Sequence, residues 1–130
     1  MILTDGVTPV TLPDDLLWTD EHTWSPVVQD ANHSLSGSLI VETDSKQAGR
    51  PITLQSPQNQ AVITGAVLAQ LKTWAAIPGK VLSLTIRGDV KAVVFRHQNT
   101  GIDADVIGFW CDTDDMSAAR YFITLRFLEI

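Results

Sequence analysis

Apolar and polar residues alternate along much of the chain, which is the pattern of a β-strand with one buried face. The alternation is most regular over residues 82–87 and 121–127, where large apolar side chains occupy every second position. Further strands are predicted over residues 36–43, 50–55, 89–97 and 104–111. Short turns separate the four strands of the last third, so we expect them to pair antiparallel.

The period of the pattern changes in the middle of the chain, from the two residues of a strand to the 3.6 residues of a helix. One apolar stripe at helical spacing is formed by Val67, Leu68, Leu71, Trp74 and Ala75. Thr64 is placed to cap the first turn through its hydroxyl, and Pro78 with Gly79 ends the helix. We therefore predict a mainly β fold, an antiparallel β-sandwich or partly open barrel, with one α-helix over about residues 64–76 packed against it.

The first third of the chain has a different composition from the rest. It contains half of the six prolines: Pro9, Pro13 and Pro26. Only short extended pieces, over residues 7–12 and 26–29, are predicted there. We therefore divide the chain into an extended, proline-containing N-terminal arm over residues 1–33 and a β-sandwich or barrel domain with one helix over residues 34–130.

The predicted arm carries four large apolar side chains that need to be buried: Leu16, Leu17, Trp18 and Trp24. They lie across the arm's own domain or dock on a neighbouring subunit. Tryptophan is enriched at protein interfaces, and the prolines mark an extended docking segment, so we predict that these residues are interface anchors. The alternative is a platform on which Trp18 and Trp24 stack against a carbohydrate.

Composition and charge restrict the classes of function and the cellular locations that are expected for the chain. The chain has 130 residues, the size of one domain, and a net charge of −6, which disfavours binding to nucleic acid. Its one cysteine, Cys111, cannot form an internal disulfide and fits a reducing compartment. The first residues do not have the basic and apolar segments of a signal peptide, and no apolar run reaches the ~20 residues of a membrane span. We expect a cytoplasmic protein without a membrane span.

Short motifs that could carry chemistry have simpler explanations. Arg87-Gly88-Asp89 spells the integrin-binding tripeptide, but glycine followed by aspartate between two strands is also what a tight hairpin needs. Cys111 lies in an apolar segment beside Trp110, which favours a buried, inert thiol. No Gly-x-Ser-x-Gly elbow is present for a nucleophilic triad. We therefore expect no catalytic residue.

The motifs that could bind a metal ion or a cofactor are incomplete. The three histidines, at positions 22, 33 and 97, do not stand at the paired spacing of a metal site. The aspartates at 112, 114 and 115 resemble a fragment of a calcium loop, without its glycine or its closing glutamate. No phosphate-binding glycine loop occurs. We expect no metal site and no cofactor.

The order of segments from residue 37 to residue 130 resembles a known class of protein. The segments that carry this resemblance are residues 48–54 (AGRPITL), 67–71 (VLAQL), 82–89 (LSLTIRGD), 91–97 (KAVVFRH) and 121–127 (YFITLRF). They are similar to the small tail proteins of tailed bacteriophages, in particular the distal tail protein and its relatives with the tail-tube fold. The chain departs from distal tail proteins because it does not contain their second, C-terminal domain, so a tail-completion, tube or minor baseplate role remains open.

The resemblance implies a structural virion protein and not an enzyme. Such proteins form rings, often hexamers, by pairing sheets of adjacent subunits around a channel. The expected partners are therefore other copies of the chain and other phage tail proteins. The expected location is the cytoplasm of the bacterial host during assembly, and then the virion tail.

Two other functions are compatible with the residues. The first is a monomeric β-barrel that binds a small molecule or carbohydrate, with tryptophans lining a cleft. The second is a hydrolase whose site is assembled only in three dimensions, with His97 or Cys111 as a participant.

Overall fold

A computed structural model describes residues 1–108 and 119–130 of the chain. The predicted inert thiol Cys111, its neighbour Trp110 and the predicted loop at residues 112–115 lie outside these described residues. The fold is mainly β, with 48% of the residues in antiparallel strands, and the sheets are not closed into a barrel. The described residues contain a single α-helix, so the predicted fold class is confirmed.

The chain order of the elements is as follows. The strands are β1 Ile2–Thr4, β2 Pro9–Thr11, β3 Leu17–Trp18, β4 Val27–His33, β5 Leu39–Ser45, β6 Pro51–Gln55, β7 Val62–Thr64, β8 Leu82–Ile86, β9 Asp89–Phe95, β10 Ile102–Val106 and β11 Arg120–Glu129. The helix α1, Gly65–Ala75, lies between β7 and β8, and a short 3₁₀ turn, His97–Asn99, follows β9.

Strand β11 organises the main sheet. The strand order is β2-β1-β8-β9-β11-β6-β3, and β7 and β10 pair with the first half of β11. The second half of β11 pairs with β6 and β9. All these pairs are antiparallel, as predicted for the last third of the chain.

The core lies between one face of this sheet and α1. Alternate residues of β11, Ile123, Leu125 and Phe127, are at most 1% exposed. The helix contributes Leu68, Leu71 and Trp74, three residues of the stripe that predicted it. Thr64 occupies the N-cap position, but its hydroxyl makes no capping hydrogen bond.

The first eighteen residues are part of the main sheet, unlike the predicted arm over residues 1–33. Leu3 in β1 pairs with Leu84 in β8, and both side chains are fully buried. Val10 and Leu12 are also buried in this core. The sequence pattern missed β1, which has only three residues, too few to show a period, whereas β2 lies within the extended piece predicted over residues 7–12. Pro9 is the first residue of the edge strand β2, a position that tolerates the missing amide.

A separate two-stranded sheet is formed by β4 and β5, across the predicted boundary between residues 33 and 34. The strand predicted over residues 36–43 is found at Leu39–Ser45. Its partner β4 has seven residues, although only residues 26–29 were predicted to be extended. The structural unit that stands apart is therefore the β4–β5 hairpin, not the segment 1–33.

The Arg87-Gly88 turn joins β8 to β9, as the hairpin interpretation predicts. Both residues have positive φ angles, 50° and 83°, the condition of a two-residue type I′ turn. No helix in residues 1–108 and 119–130 is long and apolar enough to cross a membrane.

The turn after β1 is stabilised by Asp5. Its carboxylate accepts hydrogen bonds from the amides of Thr8 (2.8 Å) and Val7 (2.9 Å), and these bonds hold the pKa of Asp5 below its ordinary value of 3.8. A lowered pKa stabilises the folded state above the ordinary value, and this contribution is lost as the pH falls through the folded-state pKa.

We expect the stability difference between the native chain and Asp5→Asn to disappear in acid. Asparagine keeps an acceptor oxygen but has no charge, so the two proteins differ only while Asp5 is ionised. Urea unfolding at several pH values between about 6 and about 2 measures the difference. A difference that stays constant over this range would contradict the role given to the carboxylate.

Candidate interaction site

The β4–β5 hairpin has two chemically different faces. Directly opposed residues of an antiparallel pair share a face, and successive pairs alternate between faces. One face, called here the apolar face, carries Val27, Ala31, Leu39 and Val41, interspersed with the polar residues Gln29, His33, Thr43 and Ser45. The other, called the acidic face, carries Asp30, Glu42 and Asp44, together with Val28 and Ile40. Leu39 and Val41 share one face and Ile40 lies on the other, as the sequence pattern predicts.

Nothing in the described part of the chain covers either face. Every residue of β4 and β5 is exposed, including Leu39 at 58% and Val41 at 47%. An isolated two-stranded hairpin is marginally stable in water and usually needs a further strand or a packed face. The hairpin therefore exposes apolar surface and free strand edges of the kind that proteins pair or cover.

The acidic face contains a pair that weakens the hairpin. Asp30 lies directly opposite Glu42, and Asp44 is two residues further along β5. Like charges at opposed positions destabilise an antiparallel pair. Repulsion also disfavours the stacking of two acidic faces.

The hairpin tip is a well-ordered turn that presents one leucine. The amide of Ser34 donates to the carbonyl of Ser38 (2.8 Å), and the amide of Gly37 donates to the carbonyl of Ser34 (2.9 Å). Gly37 has a φ of +86°, which glycine adopts without strain. Leu35 lies between these bonded residues with its side chain fully exposed, at 110%.

The hairpin base is held by a stack of cationic and aromatic side chains. The guanidinium of Arg50 lies 5.5 Å from the ring centre of Trp24 and 4.7 Å from that of Trp18. The Lys46 ammonium lies 5.4 Å from the ring centre of Trp24, and the Arg87 guanidinium lies 6.0 Å from that of Trp18. The stack joins the hairpin base to the body of the domain through cation–π attraction.

Hydrogen bonds fix this stack to the main sheet. Arg50 donates to the carbonyl of Glu21 (2.8 Å), and the Glu21 carboxylate pairs with Arg87. Asp20 accepts from both the amide and the hydroxyl of Thr53 in β6, each at 3.0 Å. The loop that carries Trp18 and Trp24 is thereby tied to the domain, and the direction of the hairpin is set by the same contacts.

A cavity opens beside Trp18. It has a volume of about 430 Å³. Its lining combines the apolar side chains of Leu16, Leu54 and Ile86 with the acidic residues Asp14 and Glu21. Leu17 and Arg87 also line it and are largely exposed. The indole Nε1 of Trp18 is buried and has no hydrogen-bond partner among residues 1–108 and 119–130.

The four predicted interface anchors have different environments in the structure. Leu16 is 6% exposed in the core of its own domain, and Leu17 is 56% exposed at the cavity. Trp18 and Trp24 are half-buried, and both rings lie close to the guanidinium of Arg50. Leu16, Leu17 and Trp18 therefore meet at the cavity, whereas Trp24 belongs to the hairpin base.

Sequence reasoning missed the hairpin and the role of Arg50. The turn-forming segment Ser34–Ser38, with Gly37 at its centre, was the available signal for a hairpin between two extended segments. No comparable signal marks Arg50, because its contacts with the two tryptophans join distant parts of the sequence. In the part of the chain that the structure describes, no group of three or more His, Cys, Asp or Glu residues could hold a metal ion.

Replacing Arg50 by alanine is expected to lower the free energy of unfolding by about 2 kcal/mol. The estimate combines cation–π contacts of about 0.5–1 kcal/mol each with a charge-assisted hydrogen bond of about 1.5–3 kcal/mol, and allows for solvent competition at a partly exposed site. Arg50→Lys keeps the charge but not the planar group that stacks on both rings, so about half of the loss is expected. Urea unfolding measures both, and equal stability of all three proteins would show that the stack does not hold the base.

Comparison of the chain with models of known protein families, with curated protein sequences and with solved structures finds no match.

Proposed function

We propose that the chain is a structural subunit of a phage or prophage tail, a distal tail, baseplate or tube-associated component, that acts by assembling into a homo-oligomeric ring. The observation that carries the proposal is the β4–β5 hairpin, exposed on both faces and fixed to the domain at its base. The resemblance of residues 37–130 to phage tail proteins supplies the class of assembly, and the hairpin supplies a surface for it.

Physical chemistry supports contact with another protein through this hairpin. Covering the apolar face stabilises the contact by roughly 25 cal/mol for each Å² of apolar surface removed from water. The free edges of β4 and β5 offer backbone groups to a neighbouring strand, as in strand addition. A base held by Arg50 and the two tryptophans orders the hairpin before contact, which lowers the entropic cost of binding.

The chemistry of the chain agrees with a structural role in a virion. A net charge of −6 disfavours adhesion of the subunit to DNA, including DNA that passes through a ring. The proposal places the protein in the cytoplasm of the bacterial host during assembly and then in the tail, with other copies and other tail proteins as partners. No catalytic step, metal or cofactor is part of it.

The cavity beside Trp18 favours one other function, the binding of a small molecule or carbohydrate by a monomer. Its lining combines apolar side chains with the charged groups of Asp14, Glu21 and Arg87, as small-molecule sites do. However, the ring of Trp18 is already in contact with Arg50 and Arg87, which occupy the surface that a sugar would stack on. This alternative predicts quenching of tryptophan fluorescence by sugars in a protein that stays monomeric.

Light scattering on a sizing column, over a range of protein concentrations, tests the proposed function. The native chain is expected to form a closed oligomer. The matched control variant replaces residues 27–45 by a short glycine–serine link, which fits because the amide of Lys46 already bonds to the carbonyl of Pro26 at 2.8 Å. We expect this variant to fold and to remain monomeric. A native chain that is monomeric at all concentrations, or a shortened variant that assembles equally well, would contradict the proposal.

A further inference from the structure

The β4–β5 hairpin presents a row of backbone amides and carbonyls along each of its outer edges. The amide of Lys46 donates to the carbonyl of Pro26, and that of Ser34 donates to the carbonyl of Ser38, each at 2.8 Å. Bonded and unbonded pairs alternate along an antiparallel ladder, so these bonds assign the even-numbered residues of both strands to the hairpin itself. The odd-numbered residues therefore direct their amides and carbonyls outward.

The outer edge of β5 carries the side chains of a strand that pairs well. In the described part of the chain β5 pairs only with β4, and the outward backbone groups of Leu39, Val41 and Thr43 have no partner. The free edge ends at Ser45, whose amide donates to the carboxylate of Asp44 at 2.8 Å. Since β-branched residues favour paired strands, a further strand is the occupant that this edge accepts.

The outer edge of β4 is a poorer match for a further strand. Its outward amides belong to Val27, Gln29, Ala31 and His33, and the amide of Val27 is already bonded to the hydroxyl of Ser25 at 3.3 Å. The other three residues contribute no β-branched side chain, so pairing there gains less from cross-strand contacts.

The carboxylates of the acidic face restrict how a second copy of β5 can pair with this edge. In an antiparallel pair with Val41 opposite its own copy, Glu42 faces Ile40 of the second copy. Moving the centre of the pair by one residue toward the C-terminus sets Glu42 opposite its own copy, and moving it by two sets Glu42 opposite Asp44. Like charges directly opposite each other are destabilising. Moving the centre the other way takes the pair past the end of β5 into the turn.

We propose that β5 of one copy pairs antiparallel with β5 of a second copy, with Val41 on the two-fold axis between them. Leu39, Val41 and Thr43 then exchange their outward backbone hydrogen bonds with Thr43, Val41 and Leu39 of the second copy. The two hairpins form one four-stranded sheet in the order β4-β5-β5-β4. This sheet has the additional strands and the wider apolar face that an isolated two-stranded hairpin lacks.

This inference rests on the proposed self-assembly and identifies the strand that meets its copy. Because both partners use the same surface, the contact has two-fold symmetry and joins the copies in pairs. A ring in which every subunit makes this contact therefore has an even number of subunits.

Two proline substitutions separate pairing at the β5 edge from packing on the apolar face. Val41→Pro removes an outward amide of β5, and Ala31→Pro removes the outward amide of β4 directly opposite, on the same face. Neither amide bonds within the hairpin, so both positions tolerate proline alike. Val41→Pro is expected to raise the Kd for self-association by at least about 100-fold, because the proline ring lies where the second strand must approach. Ala31→Pro is expected to change the Kd by less than about 3-fold. Sedimentation velocity measures association, and urea unfolding checks that both variants are folded.

A carboxylate introduced at position 40 tests the register. Ile40→Glu sets a carboxylate opposite Glu42 of the second copy, twice in each pair, and is expected to raise the Kd by about 10-fold. Asn32→Glu is the matched control, because Asn32 lies opposite Ile40 in the same hairpin, on the same face but one strand further from the second copy. It is expected to change the Kd by less than about 3-fold.

The outcomes separate this pairing from the proposed function. If the native chain assembles but Ala31→Pro weakens assembly as much as Val41→Pro, or neither weakens it, the β5 edge is not the contact and self-assembly through another surface stands. Equal effects of Ile40→Glu and Asn32→Glu would contradict the register centred on Val41. If the native chain itself is monomeric at every concentration, the proposed function fails and the pairing fails with it.

Discussion

Replacing Phe127 by alanine is expected to lower the free energy of unfolding by about 3–5 kcal/mol, because the substitution leaves a cavity in the centre of the core. Phe127 is fully buried in β11, opposite Ile52 on one side and Phe95 on the other. Its ring centre lies 5.0 Å from that of Phe95 at an angle of 36°. Domains of this size are usually stable by only about 5–15 kcal/mol, so the variant is expected to be close to unfolding.

Phe122→Ala is the matched control for this prediction. Phe122 lies on the same strand with its side chain on the opposite face, where it is only partly buried. The same chemical change there is expected to cost less than half as much, since less apolar surface leaves the core. Urea unfolding gives both values. Equal losses at the two positions would contradict the placement of the core on the side of β11 that carries Phe127.

Replacing Val41 by lysine is expected to raise the Kd for self-association by about 100-fold while the free energy of unfolding changes by less than about 0.5 kcal/mol. Val41 lies on the apolar face of the hairpin and is exposed, so the substitution does not disturb the core. In the assembled state, however, the new ammonium would have to leave water and enter an apolar contact. Light scattering measures the association and urea unfolding measures the stability.

Ile40→Lys provides the control with the same charge change. Ile40 is 50% exposed, close to the 47% of Val41, but it lies on the acidic face near Glu42. A lysine there reduces the repulsion among the carboxylates and is expected to leave self-association intact. Loss of assembly in both variants, or in neither, would contradict the assignment of the contact to the apolar face.

The sequence pattern predicted the parts of the fold in which one face is buried. The helix follows from the spacing of Leu68, Leu71 and Trp74, and the strands around the Arg87-Gly88 turn follow from alternation. In each of these elements the core imposes a period on the side chains. The pattern and the structure agree there, because burial generates the signal that the pattern detects.

The parts that were missed are those without such a period. Strand β4 is exposed on both faces, so burial imposes no alternation on its residues. Strand β1 is too short for a pattern and is defined by its pairing with β8, about eighty residues away along the chain. The prolines of this segment suggested an extended arm, although Pro9 is compatible with an edge strand.

The environments of the predicted interface anchors also could not be read from the sequence pattern. Large apolar residues in a proline-containing segment indicated burial, but the sequence could not say against what. The structure places Leu16 in its own core and both tryptophans against Arg50, a contact that depends on the long-range pairing of β3 with β6. Of the four predicted anchors, Leu17 at the cavity is the one that is largely exposed.

Hydrogen exchange of the backbone amides in residues 27–45, compared below and above the concentration at which the chain assembles, tests most directly whether the hairpin is the contact. Amides of β11 serve as the internal reference, because the main sheet protects them in both states. We predict that exchange of the hairpin amides slows on assembly while exchange in β11 does not change. Hairpin amides that exchange equally fast in the assembled and monomeric protein would contradict assembly through the hairpin.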